Sequence, residues 1–118
     1  MVVDDQVDIA DTIAEVVKIF GHQSTVSYHP ADAIALANKT AVDVFILDVG
    51  LPTMDGYALG ALLKETRPKA VFIGHSAWPV DTKRELETGF YFAEYLRKPT
   101  DINQLAGVLN AVALGIFE

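Results

Sequence analysis

Five short apolar runs alternate along the chain with five segments in which apolar residues recur at helical spacing. The runs occupy residues 1–3, 24–28, 42–48, 70–74 and 92–98. The first helical segment has apolar residues four, seven, eight and eleven positions after Ile9, and Gly21 marks its end. Strands that alternate with helices form a parallel sheet covered by helices on both faces, so the sequence predicts an α/β domain.

The composition of the runs predicts their order in the sheet. Strands buried on both faces are apolar throughout, whereas edge strands mix polar and apolar residues. The runs at 42–48 and 70–74 are therefore expected to be central, and "STVSY" (24–28) and "FAEYLRK" (92–98) to lie at the edges. This predicts a flavodoxin-like three-layer sandwich with strand order 2-1-3-4-5, in which ligands bind beyond the carboxyl ends of the strands.

Length and composition limit the class of protein. Residues 1–118 suffice for one domain and leave no material for a second core. Sixteen acidic residues against nine Lys and Arg give a net charge of −7, which argues against nucleic-acid binding by this domain. The lack of cysteine excludes disulfides and thiolate metal sites. No signal peptide or bilayer-length apolar run is visible, so we expect a cytoplasmic domain without a membrane partner.

Charged and polar residues follow the apolar runs. The third run, in "FILDVGLPTMDG" (45–56), ends on a carboxylate. The residues expected at the carboxyl edge of the sheet are Asp4, Asp5, Asp48, Ser76 and Lys98. Three neighbouring carboxylates raise one another's pKa values unless a cation joins them, and Mg²⁺ favours such oxygen ligands. A lysine and a hydroxyl beside them suit phosphoryl transfer, which needs mainly positioning and charge neutralisation.

The motif set resembles the receiver domain of two-component response regulators, as in chemotaxis regulators. The resemblance rests on "VVDD", "FILDVGLPTMDG", "HSA" and "YLRKP" in this order, and it extends over essentially the whole chain. It implies that Asp48 accepts a phosphoryl group from the phosphohistidine of a histidine kinase or a histidine phosphotransfer domain. It also implies Mg²⁺ bound by Asp5, Asp48 and the Gly50 carbonyl, with Asp4 acting through water.

The resemblance assigns roles to the remaining residues of the set. Lys98 and the backbone of Ala77 would contact the phosphate, Ser76 would move to bond it, and Tyr95 would turn inward as Ser76 moves. The Lys98–Pro99 peptide would be cis. Such a domain catalyses only its own phosphorylation and dephosphorylation, and it signals to a downstream effector domain or protein.

Each assignment has a structural alternative. The acid pair could cap a helix, Asp48 could be a solvated strand end, and Ser76 could be a turn serine. Lys98 could be a surface lysine, and Tyr95 could simply pack in an edge strand. Two other functions also compete: a pseudo-receiver that binds proteins without phosphorylation, and a flavodoxin-like enzyme or cofactor binder. The sequence has no Gly-rich phosphate-binding loop after the first run, which argues against the enzyme or cofactor binder.

Several features depart from the family pattern. The first strand has only residues 1–3 before the acids, so its pairing could be marginal. Gly50 leaves one flank of Asp48 open. Trp78 is large for its position, so we predict that Trp78 partly covers the acyl phosphate or forms a docking surface.

The helix at 79–89 has few large apolar residues and should be loosely held. The chain is either a stand-alone regulator or a piece of a longer regulator or hybrid kinase.

Overall fold

The five apolar runs form five strands, and the segment after each run forms a helix, in a computed structural model that describes residues 1–117. The strands are β1 (Val2–Val3), β2 (Val26–Ser27), β3 (Val44–Asp48), β4 (Val71–Ser76) and β5 (Glu94–Arg97). The helices are α1 (Val7–Ile19), α2 (Pro30–Lys39), α3 (Gly56–Thr66), α4 (Thr82–Thr88) and α5 (Ile102–Ala113).

All five strands are parallel and lie in the order β2-β1-β3-β4-β5, which confirms the predicted topology. The edge strands are shorter than the runs that predicted them, 24–28 and 92–98. An edge strand is hydrogen-bonded on one side only, so the ends of its apolar run need not pair. Crossing from β1 to β3 reverses the direction of chain progression, and this reversal opens a crevice at the carboxyl edge.

The short strand β1 is paired on both sides. Val2 and Val3 are buried and lie opposite residues of β2 and of β3. The α-amino group of Met1 donates to the carbonyl oxygen of Val44 at 2.7 Å, and the Ile46 amide donates to the carbonyl oxygen of Met1 at 2.9 Å. These bonds hold the backbone that leads directly into Asp4.

Two apolar clusters fill the two faces of the sheet. Successive residues of a strand point to opposite faces, so Ile46 packs toward α1 and α5 while Phe45 and Leu47 pack toward α2 and α3. Phe45 stacks on Phe72 with ring centroids 4.9 Å apart. Burial on both faces fixes β3 firmly, and Asp48 is its last residue.

The helix α4 is held differently from the others. The prediction placed it at 79–89, but it begins at Thr82, because the side chain of Asp81 caps it by accepting the amide of Arg84 at 3.1 Å. None of its residues is buried. Its contacts with α3 include polar ones: the Asp81 amide donates to the Tyr57 hydroxyl at 2.9 Å, and Arg84 is paired with Asp55. The lack of buried residues agrees with the predicted loose attachment.

Candidate functional site

Three carboxylates meet at the carboxyl edge of the sheet. Asp4 and Asp5 follow β1, and Asp48 ends the neighbouring strand β3. One oxygen from each lies within 4.8 Å of the others. The two strands are adjacent because of the strand order, so residues 43 positions apart in sequence come together as predicted.

The cluster has a buried back and an open front. Asp4 is 2% exposed and Asp48 is 7% exposed, whereas Asp5 is exposed to solvent. Asp4 accepts the amide of Gln6 at 2.9 Å, and Gln6 itself is the N-cap of α1 without a side-chain cap bond. Asp4 is therefore not a simple helix cap, and Asp48 is not a solvated strand end.

The ammonium group of Lys98 joins the two buried carboxylates. Its Nζ atom lies 3.1 Å from Asp4 Oδ2 and 3.3 Å from Asp48 Oδ1. The side chain is 17% exposed, which rules out a free surface lysine. Burial acts to lower the pKa of Lys98, but hydrogen bonds and charges from the two aspartates outweigh it and raise the pKa.

Asp48 lies in an environment that disfavours its charge. Burial, and then the negative charge of Asp4, raise its pKa to about 6. Lys98 and the Gly50 amide, which donates to Asp48 Oδ1 at 3.2 Å, act in the opposite direction without restoring the usual value. The cluster is thus short of positive charge at neutral pH.

The donor set fits a magnesium ion. Carboxylate oxygens with one solvent-facing member are the ligands Mg²⁺ prefers, because it retains several waters in its shell. A metal would also supply the positive charge that the pKa of Asp48 shows to be lacking. Gly50 is exposed, and a Cβ there would meet only Asp48 Oδ1, at 4.0 Å, so this flank is as open as predicted.

Ser76 and Tyr95 are both bonded to the backbone of Trp78. The buried Ser76 hydroxyl accepts the Trp78 amide at 3.1 Å. The Tyr95 hydroxyl donates to the Trp78 carbonyl at 3.0 Å, and its ring packs so closely on Gly74 that a Cβ there would lie 2.7 Å from a ring carbon. Tyr95 is therefore more than a packing residue, because it holds the loop between β4 and α4.

The indole of Trp78 extends away from this backbone. It is 76% exposed, so the predicted covering of an acyl phosphate or docking role stays a prediction. Ala77 is also exposed, and its carbonyl accepts the guanidinium of Arg97 at 3.1 Å. On the other side of the site, the Lys98–Pro99 peptide is cis, as expected from the resemblance.

Sequence reasoning missed two pairs of residues near the site. It assigned no chemistry to the histidines, yet His75 is buried and its Nε2 atom lies 2.6 Å from the Thr100 hydroxyl. The only sequence signal was its position directly before Ser76 in a central strand. Asp55 caps α3 by accepting the Ala58 amide, and its pairing with Arg84 had no signal in the sequence.

Comparisons with known proteins agree with this geometry. The sequence model of the family described as response regulator receiver domain matches residues 1–110. The chain is 28% identical over 105 residues to the response regulator receiver protein Anae109_2439 of Anaeromyxobacter, covering 89% of this chain and 44% of that protein. It is 26% identical to protein PilH of Pseudomonas aeruginosa, covering 98% and 97% of the two chains.

The fold is also similar to that of a solved structure. The chemotaxis protein CheY4 of Vibrio cholerae superposes with a TM-score of 0.83 at 22% identity, covering 94% of each chain. The chain spans less than half the length of the Anaeromyxobacter relative. Within residues 1–117, no helix is both long and apolar enough to cross a bilayer. With the family model matched over residues 1–110, the chain belongs to the response regulator receiver domains of two-component systems.

Proposed function

We propose that Asp48 is the phosphoacceptor of a signalling switch. The observation that carries the proposal is the carboxylate cluster itself: Asp48 is buried beside Asp4, within reach of Asp5, and paired with Lys98. Receiver domains interact with histidine kinases and with downstream effectors, so the donor is the phosphohistidine of a kinase or of a histidine phosphotransfer domain. A domain phosphorylated by such a kinase would act in the cytoplasm, where the sequence analysis expects it.

The reaction is a transfer of one phosphoryl group between side chains. An Asp48 carboxylate oxygen forms a bond to phosphorus, and the phosphorus–nitrogen bond of the phosphohistidine breaks. The electron pair of that bond returns to the imidazole nitrogen of the donor, which then takes a proton from solvent. The product is an acyl phosphate on Asp48, and later attack by water returns the free carboxylate. The domain catalyses only these two steps on itself.

A magnesium ion completes the site in this proposal. Asp5, Asp48 and the backbone carbonyl of Gly50 would hold it directly, and Asp4 would hold it through water. The ion supplies positive charge to the oxygens of the phosphoryl group, the main requirement of phosphoryl transfer. The raised pKa of Asp48 supports this assignment, because a nearby cation keeps the nucleophile ionised.

Three further groups would contact the new phosphoryl oxygens. Lys98, already 3.3 Å from Asp48, would pair with one of them. The Ser76 hydroxyl and the Ala77 amide would donate to the others. Ser76 would have to reorient, because its oxygen now accepts the Trp78 amide.

In this proposal, phosphorylation changes the conformation of the loop between β4 and α4. Loss of the bond from the Trp78 amide frees that loop, to which Tyr95 is also bonded. The helix α4 has no buried residue, so a modest change in its polar contacts can shift its position. A partner would then distinguish the two states by the surface between Ser76 and Lys98.

The proposal concerns one domain, residues 1–118, of which the family match covers 1–110. The chain spans 97% of PilH and 44% of the Anaeromyxobacter relative. A stand-alone regulator and a part of a longer regulator or hybrid kinase are thus both compatible with its length.

Intact-mass measurement tests the proposal. The protein is incubated with Mg²⁺ and acetyl phosphate and then weighed. The expected result is a single phosphoryl adduct that is absent from Asp48→Asn and retained in Asp43→Asn, an exposed aspartate at the opposite end of the same strand. A wild-type protein that takes no adduct from acetyl phosphate or from a phosphorylated kinase would instead be a pseudo-receiver.

A further inference from the structure

His75 lies between the two segments that carry the reactive groups. It is the residue of β4 that pairs with Asp48 of β3, and its carbonyl oxygen accepts the Val49 amide at 3.1 Å. Its side chain is 2% exposed. Burial, and then the charge of Lys98, lower its pKa. The imidazole contacts the neighbouring turn through a hydrogen bond.

The imidazole is bonded to the turn that follows Lys98. Its Nε2 atom lies 2.6 Å from the Thr100 hydroxyl, while the Lys98 amide donates to the Ser76 carbonyl at 2.8 Å. Consecutive residues of β4 therefore hold both ends of the three-residue turn from Lys98 to Thr100. Pro99, at the middle of that turn, has no amide hydrogen to offer the sheet. The side-chain bond from His75 supplies an attachment that the backbone cannot.

The position of the turn matters because a lysine is long and flexible. Four rotatable bonds separate the Lys98 backbone from its ammonium group, which must reach Asp4 and Asp48 together. Freedom of the turn would add to that of the side chain, and the ammonium would spend less time between the carboxylates. Small misplacements of a charged group are costly in phosphoryl transfer, where positioning provides most of the catalysis.

We propose that His75 is a positioning residue which, through its hydrogen bond to Thr100, fixes the turn that carries Lys98 and so holds the ammonium at the phosphoacceptor. The inference rests on the proposed function only in giving Lys98 a phosphoryl group to contact. It assigns a role to two residues outside the carboxylate cluster. The hydroxyl of Thr100 is as necessary to it as the imidazole.

Two variants at Thr100 separate the hydrogen bond from the bulk of the side chain. Thr100→Val removes the hydroxyl and keeps the shape, whereas Thr100→Ser restores the hydroxyl. Thr100→Ala replaces the valine variant if valine disturbs the start of α5. Ser24→Ala is the matched control, because it removes one side-chain hydrogen bond, to the Ala14 carbonyl, at the opposite end of the sheet. His75→Leu removes the same bond from the other partner.

The first measurement is amide hydrogen exchange by NMR, which needs no phosphorylation. We expect the Lys98 amide to exchange about three to ten times faster in Thr100→Val than in wild type, the change expected for loss of one hydrogen bond. The Leu96 amide should keep its rate. Thr100→Ser and Ser24→Ala should leave Lys98 protected. An unchanged Lys98 amide in both Thr100→Val and His75→Leu overturns the inference.

The second measurement is the rate of phosphorylation by saturating acetyl phosphate with Mg²⁺. We expect Thr100→Val to slow the step by about threefold to tenfold, with recovery in Thr100→Ser. In a Lys98→Gln background the same substitution should not slow phosphorylation further, because it acts only by displacing the ammonium group of Lys98. Equal slowing in both backgrounds would overturn the positioning role. If wild type takes no phosphate while the exchange pattern holds, the proposed function fails and the positioning of Lys98 stands.

Discussion

The guanidinium of Arg84 forms two hydrogen bonds with the carboxylate of Asp55, at 2.7 Å and 3.1 Å, and so joins α4 to the first turn of α3. A forked pair of this kind is stronger and more directional than a single contact between charges. Because none of the residues of α4 is buried, this pair and the bond from the Asp81 amide to Tyr57 hold the start of the helix. The loop that follows Asp48 ends at Asp55, so the pair connects this loop with α4.

Arg84→Gln should reduce the free energy of unfolding slightly at neutral pH. Burial acts to raise the pKa of Asp55, but hydrogen bonds from Arg84 and from the Ala58 amide outweigh it and lower the pKa. A carboxyl group whose pKa is lowered by folding stabilises the fold at pH values above its unfolded pKa. This stabilisation is lost as pH falls through the lower folded pKa. Urea unfolding at pH 7 and at pH 3 should show a larger difference from wild type at pH 7. An equal difference at both pH values would contradict the ion pair.

Lys98→Gln should destabilise the metal-free domain far more. Asp4 and Asp48 are both buried, and removal of their shared cation leaves two carboxylates uncompensated, at a cost of about 2–4 kcal/mol. The measurement is urea unfolding with a chelator at pH 7. Lys18→Gln is the matched control, because its pair with Glu15 is exposed and should contribute little. Similar losses in the two variants would contradict the buried network.

Asp48→Asn should stabilise the same metal-free domain. The folded pKa of about 6 lies above the ordinary value, so the protonated form is favoured in the fold. The stabilisation from the protonated carboxyl group is complete below about pH 4 and is lost as pH rises through 6. The charged aspartate is therefore unfavourable in the fold at pH 7. We expect a gain of about 1–2 kcal/mol at pH 7, allowing for solvent at the open front, and little or none near pH 4.

Urea unfolding with a chelator again provides the measurement for Asp48→Asn. Glu65→Gln, which changes an exposed acid on α3, serves as the control and should alter stability little at either pH. Addition of Mg²⁺ should reduce the difference in the free energy of unfolding between Asp48→Asn and wild type. An ion bound by the carboxylates stabilises wild type more than it stabilises the variant. An asparagine variant that is less stable than wild type at pH 7 would refute the raised pKa.

Gly74→Ala should displace the ring of Tyr95. An added Cβ would lie 2.7 Å from one ring carbon of Tyr95, which is closer than real contacts allow, and 3.0 Å from a carbon of Phe92, which is closer than most. Overpacking of this kind costs about 1–3 kcal/mol, and the bond from the Tyr95 hydroxyl to the Trp78 carbonyl should be lost. The check is a double-mutant cycle: Gly74→Ala should cost markedly less in a Tyr95→Ala background. Additive losses would contradict the contact.

Trp78→Ala should leave stability within about 0.5 kcal/mol of wild type, because the side chain is exposed and the bonds at this residue come from its backbone. The sequence prediction concerns function instead: the rate of acyl phosphate hydrolysis or the affinity for a partner should change. Both are measured on the phosphorylated domain. If neither differs from wild type, the predicted role of the indole is wrong.

Much of the carboxyl-edge cluster could be predicted from the sequence, for a simple reason. Parallel strands end at the same edge of a sheet, so the residues after each apolar run are brought together once the strand order is known. That logic located Asp4, Asp48 and Lys98, and burial then distinguished them from ordinary surface charges. The order itself followed from which runs were apolar throughout.

The remaining contacts and the bounds of some elements depend on distances that a sequence pattern does not contain. The pair of His75 and Thr100 joins two side chains 25 positions apart, and no periodicity indicates that their atoms meet. The start of α4 was placed too early because proline and valine at 79–80 resemble a helix start, whereas the cap of Asp81 decides the boundary. The length of the edge strands was overestimated because pairing on one side ends sooner than the apolar pattern.

The bonds at Trp78 have a practical consequence, because it is the only tryptophan of the chain. Its amide is bonded to Ser76 and its carbonyl to Tyr95, the two residues proposed to move when Asp48 is modified. The indole itself stands in solvent. A change in that loop should therefore alter the emission wavelength and intensity of the protein's intrinsic fluorescence. The conformational change could then be followed in real time without a label.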